Sequence, residues 1–277
     1  MNNTVTGNFA KIKLTFFYVP LLFLFLIFIF LYINNALHND AYVNLQKKMF
    51  LLINSELSAY PNILNNFTQL GDCLIILSFL TLLIIYTPKL WESLISAIII
   101  SGILTGILKP LFSIQRPSAA FINDHFAVIG PKLMGHNSFP SGHSITAFTV
   151  LSVLLFAFMP KMKKHKILWS FSICSIGVLI IITRIGVGAH HPFDVTTGAI
   201  VGYISAISGI LISQKYKLWC WIANKKFYPF FIVLFASCCI ILITKILATN
   251  LIIFYLALIS LLTTLYVITS LYVKKQF

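Results

Sequence analysis

Long apolar runs separated by short polar connections make up most of this chain. Runs of 17 to 23 residues fall at about 14–33, 70–86, 91–108, 143–159, 167–183, 194–213, 229–247 and 251–273. Each has the length of a bilayer crossing, roughly 20 residues at about 1.5 Å rise per residue. Peptide groups in hydrocarbon must be bonded within the protein, so the runs predict helices rather than open strands. The expected fold is an all-α, polytopic membrane bundle of eight spans: a six-helix core with two additional C-terminal helices.

Two connections are long. In 34–69, Tyr42, Leu45, Met49 and Leu52 recur at helical spacing while Gln46, Lys47 and Lys48 point elsewhere, which predicts an interfacial helix. Residues 118–139 hold Pro131, two glycines, His125 and His136 and suit a loop over a site. The expected division is an N-terminal anchor and interfacial segment (1–69), a core (70–213) and two C-terminal spans (214–277). The first run follows two lysines as a signal peptide does, but it is too long and no small-residue cleavage site follows, so it is expected to stay as an anchor. Asp72 is expected to cap the second span, and Lys245 to snorkel from an otherwise uncharged C-terminal pair that adds no chemistry.

The chain is 59% hydrophobic and 9% charged, outside the range of a soluble domain. Its net charge of +14 raises nucleic acid as a partner, but placement argues for the membrane instead. With the N-terminus inside, 13 of the 20 basic residues fall in cytoplasmic segments, among them Lys161, Lys163, Lys164, Lys166, Lys274 and Lys275. This bias sets both termini in the cytoplasm. Four of the five cysteines lie in apolar spans and Cys220 on the cytoplasmic side, so no disulfide framework is expected.

Three polar clusters interrupt the apolar pattern, at 109–117, 140–143 and 184–194, all on the extracytoplasmic side of this topology. Ionisable groups at membrane depth are costly and mark function. In the first, Lys109 precedes Pro110, which is expected to stop the helix and let the chain bring Arg116 back beside the lysine. In the second, Ser141 caps a helix, Gly142 permits close approach, and the exposed N–H groups form an anion site faced by His143. In the third, Arg184 precedes His190, His191 and Asp194, with Pro192 opening the next helix. A carboxylate four residues beyond a histidine fixes its tautomer. His190, His191 and Asp194 also suit zinc, but Lys109, Arg116 and Arg184 repel a divalent ion and suit a phosphate.

Together the lysine, six residues, arginine-proline block, the Pro-Ser-Gly-His block and the arginine, five residues, histidine, three residues, aspartate block resemble the signature of the type-2 phosphatidic acid phosphatase superfamily. That group includes lipid phosphate phosphatases, bacterial undecaprenyl-pyrophosphate and phosphatidylglycerophosphate phosphatases, and vanadium haloperoxidases. The resemblance covers about 70–213 and extends to Val195, Gly198 and Gly202; Thr183 stands where the family commonly has serine. It implies that His190 is the nucleophile, Asp194 its orienting partner and His143 the general acid. Lys109, Arg116, Arg184, Ser141 and Gly142 would hold the phosphate oxygens, with no metal or cofactor. His191 is expected to pack, and His125 and His136 to be solvated loop histidines. The expected activity is hydrolysis of a lipid phosphate or pyrophosphate at the outer leaflet of a bacterial cytoplasmic membrane. Undecaprenyl pyrophosphate leads, ahead of phosphatidylglycerophosphate, phosphatidic acid and lipid A phosphates. A phosphotransferase using the same phosphohistidine, and a non-catalytic lipid-phosphate binder or transporter, are the alternatives. The sequence does not fix the oligomeric state.

Overall fold

The computed structural model describes residues 1–274; Lys275 and the last two residues of the C-terminal segment lie outside them. The chain forms α1 (Asn2–Phe9), α2 (Tyr18–Ile33), α3 (Asn39–Leu57), α4 (Pro61–Thr68), α5 (Cys73–Ser78), α6 (Leu83–Tyr86), α7 (Pro88–Phe112), α8 (Pro117–Ala120), α9 (Gly142–Ala157), α10 (Lys163–Gly186), α11 (Pro192–Tyr216), α12 (Tyr228–Thr249) and α13 (Ile252–Val273). Among the described residues no strand occurs. This is a multi-span helical membrane protein.

Among the described residues six segments, not eight, are long and apolar enough to cross a bilayer: Leu14–Ile33, Pro88–Ala120, Lys163–Gly186, Pro192–Tyr216, Lys225–Thr249 and Ile252–Val273. The fourth expected span, α9, has only 16 residues and is buried along most of its length inside the bundle. The expected span 70–86 is broken, because Asp72 starts α5 and residues 79–82 leave the helical path. The freed carbonyls are bonded by neighbours: Trp91 Nε1 donates to Leu80 O at 3.1 Å and Ser260 Oγ to Ser78 O at 2.9 Å. Irregular backbone at membrane depth is tolerated when protein groups satisfy it in this way.

Helix α11 is the centre of the bundle and packs against α9 through its glycines. A Cβ placed at Gly198 would stand 2.8 Å from the Ser141 carbonyl oxygen, and one at Gly202 would collide with the Ile145 carbonyl. Small residues let helix backbones approach this closely, and the contact fixes the start of α9 beside the start of α11.

One expectation is corrected by a helix end. Pro110 does not stop α7, which runs on to Phe112 and closes with Ser113 in the left-handed region (φ 47°). So near a C-terminus a proline removes only one bond of a turn that is about to end, and Ser113 N–H still reaches Lys109 O at 3.0 Å. Helix α3 occupies the stretch where a helix was expected, with Leu45, Met49 and Leu52 exposed and Tyr42, Val43, Gln46, Phe50 and Asn54 turned inward. The polar residues turn inward because they bond to groups of α10 and α11. Helix α13 packs on α5 and on α12, and its Thr264 hydroxyl lies 2.8 Å from that of Thr81 in the break after α5.

Candidate active site

Four helix ends meet at one end of the bundle: the C-termini of α7 and α10 and the N-termini of α9 and α11. They bring the three polar clusters together. Ser141 N–H donates to the Asp194 carbonyl at 3.0 Å, which ties the second cluster to the third. The Arg184 carbonyl accepts from both Ala189 and His190 N–H, folding the connection back on itself. Gly188 makes that turn at φ 76°, where a Cβ would meet the Ala127 carbonyl at 2.6 Å.

His190 is 2% exposed and faces two different environments. Its Nδ1 lies 3.5 Å from Asp194 Oδ2, and its Nε2 lies 3.4 Å from Arg116 Nη1. A proton on Nδ1 directed at the carboxylate leaves the Nε2 lone pair toward the cations. Burial, joined by the Arg116 and Arg184 charges and opposed by Asp194, pushes the His190 imidazole down to about 3. A lowered value means the neutral ring at neutral pH, the form with a lone pair to share.

Asp194 is fully buried and accepts three hydrogen bonds: from Tyr42 Oη at 2.7 Å, Ser138 Oγ at 2.5 Å and His191 N–H at 2.9 Å. Burial, with the Asp194 charge adding to it, raises the Tyr42 phenol well above its ordinary value, so it stays a donor. Gln46 Oε1 accepts from Phe193 N–H at 2.6 Å, and Asn54 Nδ2 donates to the Ile185 and Gly186 carbonyls. Helix α3 therefore clamps both sides of the third cluster.

The three cations differ in how they are held. Arg116 Nε donates to Asn137 Oδ1 at 2.6 Å and its Nη1 to the Ala189 carbonyl at 3.2 Å. Arg184 Nη1 donates to Thr68 Oγ1 at 2.6 Å, while its buried Nε has no partner. Lys109 Nζ lies beside Gly142, 4.0 Å from where a Cβ there would stand. His143 packs against Gly71, where a Cβ would come within 2.6 Å of the histidine Cβ, and it lines a cavity of about 240 Å³ with Arg184. A larger, open depression of about 690 Å³ beside Leu51 and His125 contains no residue of the three clusters.

Other expectations fall out individually. Ser141 caps α9, its hydroxyl accepting from Ser144 Oγ at 3.0 Å. The Thr183 hydroxyl is spent on the Ile180 carbonyl of its own helix. His191 is buried among Tyr42, Phe50 and Phe121, with Nε2 3.0 Å from the Gln115 carbonyl oxygen. His125 and His136 are exposed. Asp72 caps α5 as expected. Lys245 departs from expectation: it pairs with Asp72 Oδ2 at 3.2 Å and lines the same cavity as His143, so α12 does contribute to this end of the protein. Among the described residues no three histidine, cysteine or carboxylate side chains form a metal-binding group.

The site contacts of Tyr42, Ser138, Asn137 and Thr68 went unread in the sequence. Each partners a cluster residue across a long stretch of chain, and no local spacing signals such a pair. Tyr42→Phe is expected to lower kcat roughly tenfold with little change in KM, because it removes one charge-assisted hydrogen bond that positions Asp194 away from any ligand. Steady-state kinetics on a soluble-chain lipid phosphate check this; an effect confined to KM would put Tyr42 at the ligand instead.

The PAP2 superfamily pattern matches residues 90–218. The bacitracin transport permease protein BcrC of Bacillus licheniformis is 35% identical over 114 residues, 40% of this chain and 49% of that protein. A lipid A 1-phosphatase of Rhizobium etli is 32% identical over 140 residues, 47% of this chain and 53% of the relative. An undecaprenyl-diphosphatase of Sulfolobus acidocaldarius is 27% identical over 197 residues, 70% and 90% respectively. The chain spans about half the length of the first two. The ends of α7 and α10 and the starts of α9 and α11, which carry the three converging clusters, all lie inside residues 90–218, the segment over which this chain matches the PAP2 superfamily.

Proposed function

We propose that this protein hydrolyses the phosphate of a membrane lipid through a phosphohistidine on His190. The observation that carries the reading is the two-sided placement of that ring, with Nδ1 toward Asp194 and Nε2 toward Arg116. His190 Nε2 attacks phosphorus while the bond to the leaving oxygen breaks and His143 gives that oxygen its proton. Water then attacks the phosphohistidine, returns a proton to His143, and releases inorganic phosphate as the N–P bond breaks. Lys109, Arg116 and Arg184, with Ser141 and the Gly142 N–H, hold the non-bridging oxygens. Fixed cations and dipoles in a partly dry site supply most of what phosphoryl transfer requires.

Relatives named lipid A 1-phosphatase and undecaprenyl-diphosphatase support a lipid phosphate or pyrophosphate as substrate. Undecaprenyl pyrophosphate, phosphatidylglycerophosphate, phosphatidic acid and lipid A phosphates all keep their tails in the bilayer while the phosphate enters between helices. The lysines at 161–166 lie at the end of the bundle opposite the site, which supports a site open to the outer leaflet of a bacterial cytoplasmic membrane. Purified protein in detergent, given labelled lipid phosphates without any acceptor lipid, is expected to release free phosphate, and to do so equally in excess chelator. Label that stays lipid-bound until a second lipid is added would identify a transferase, and activity lost to the chelator would overturn the metal-free mechanism.

A further inference from the structure

The last residues of the 118–139 loop return alongside the end of the first polar cluster. Arg116 N–H donates to the Gly135 carbonyl at 2.9 Å and Ser138 N–H to the Ile114 carbonyl at 3.0 Å, which sets Asn137 beside the Arg116 side chain. Asn137 takes one edge of the guanidinium: Nε donates to its Oδ1 at 2.6 Å and Nη2 to its main-chain carbonyl at 3.5 Å. Nη1 donates to the Ala189 carbonyl at 3.2 Å and lies 3.4 Å from His190 Nε2. Each terminal nitrogen of a guanidinium has a pair of N–H groups and here spends one, so both keep a donor free. Among the described residues no carboxylate pairs with Arg116, although it is buried and a carboxylate is the usual partner of a buried arginine.

We propose that Asn137 is the positioning residue of Arg116, a role that rests on the hydrolase reading above. It aims the free donors at the phosphoryl group on His190 and, being neutral, leaves the arginine's charge whole. The aim follows from the rigid plane of the guanidinium: Asn137 fixes one edge and Ala189 holds Nη1, so the group cannot turn and its remaining corner faces the nucleophile. Neutrality matters because the site has to attract an anion. Lys109, Arg116 and Arg184 outnumber the Asp194 carboxylate by two charges, about the charge of a phosphate monoester at neutral pH. An aspartate at 137 would grip the guanidinium more tightly but cancel half of that excess. Asn137 is exposed, so the fold would accept a carboxylate there and only the chemistry of the site disfavours one. The next residue, Ser138, donates to Asp194. Two adjacent residues therefore set the groups on both sides of the His190 ring, the cation at Nε2 and the carboxylate at Nδ1.

The test uses the full chain in mixed micelles with a lipid phosphate, and orthovanadate as a tail-free probe of the phosphate site. Asn137→Asp keeps the acceptor oxygen and is expected to melt at an unchanged or higher Tm. It should nevertheless raise the vanadate inhibition constant, and lower kcat/KM, by at least about tenfold each. Asn137→Ala keeps the charge and loses the aim: kcat is expected to fall roughly tenfold while the vanadate constant moves less than about threefold. Arg116→Gln is the background that separates positioning from packing, and in it Asn137→Ala should change kcat by less than about twofold. Inhibition constants do not depend on how much of a preparation is folded, so they stand for a variant that expresses poorly. An aspartate variant with wild-type inhibition and kcat/KM overturns the neutral-acceptor role, since a residue that only packs is replaced by aspartate at no cost. An equal alanine loss in both backgrounds overturns action through Arg116. Either result leaves the hydrolase reading standing, whereas a wild type inactive on every lipid phosphate overturns that reading and this role with it.

Discussion

Replacing His190 by alanine is expected to abolish hydrolysis, lowering kcat/KM by at least about 10⁴-fold for every lipid phosphate the wild type accepts. The size follows from the site's construction. Arg116, Arg184 and Lys109 would still bind the phosphate, so ground-state affinity survives, but the remaining histidine is not placed to replace the lost nucleophile. His143 lines the leaving-group side of the cavity, packed against Gly71. Among the described residues no carboxylate bonds to it, so no group fixes its tautomer as Asp194 does for His190. Rapid quenching with labelled substrate separates the roles: the wild type should carry an alkali-stable, acid-labile phosphoryl group that His190→Ala lacks. A variant that still accumulates that label would move the nucleophile to His143 and reverse the assignment.

Asp194→Asn is expected to be nearly as severe, about 10⁴-fold in kcat, although it changes only a carboxylate oxygen to an amide nitrogen. Asp194 accepts from Tyr42, Ser138 and the His191 N–H, and faces Nδ1 of His190. All of these groups are donors or carry the proton that defines the tautomer. An amide NH₂ has to point at one of them. Toward Tyr42 or Ser138 it opposes a donor in a fully buried site; toward His190 it forces the proton onto Nε2 and removes the attacking lone pair. The loss should therefore appear in kcat with substrate binding largely kept. Retention of more than about a tenth of wild-type kcat would show that Asp194 does not orient the ring, and Tyr42→Phe would then be expected to do nothing.

Much of the site could be read along the chain because each cluster is local. A serine before a helix, a proline at its first turn and an aspartate four residues after a histidine are near-neighbour relations, and the structure keeps them: Ser141 caps α9, Pro192 opens α11 and Asp194 faces His190. Local rules misled where a partner elsewhere changed the balance. Spacing grouped Tyr42 with Leu45, Met49 and Leu52, but Tyr42 turns inward beside Gln46 and Asn54, which bond Phe193 and the end of α10. Pro110 was given too much weight because its cost is small within a turn of a helix end.

From its sequence alone this chain reads as a helical membrane protein with its three polar clusters on the side away from most of its lysines, because apolar run length and charge placement are read by the bilayer one segment at a time. Only the tertiary structure decided which groups complete the site. Tyr42 reaches Asp194 across 152 residues, Thr68 reaches Arg184 across 116, and Lys245 reaches Asp72 across 173. It also decided that 70–86 breaks, since Trp91 and Ser260 are there to bond the exposed carbonyls. Such partners are set by how helices cross and how closely Gly198 and Gly202 let α11 approach α9. Hydrogen-bond geometry is a property of positions in space, and no periodicity along the chain encodes it.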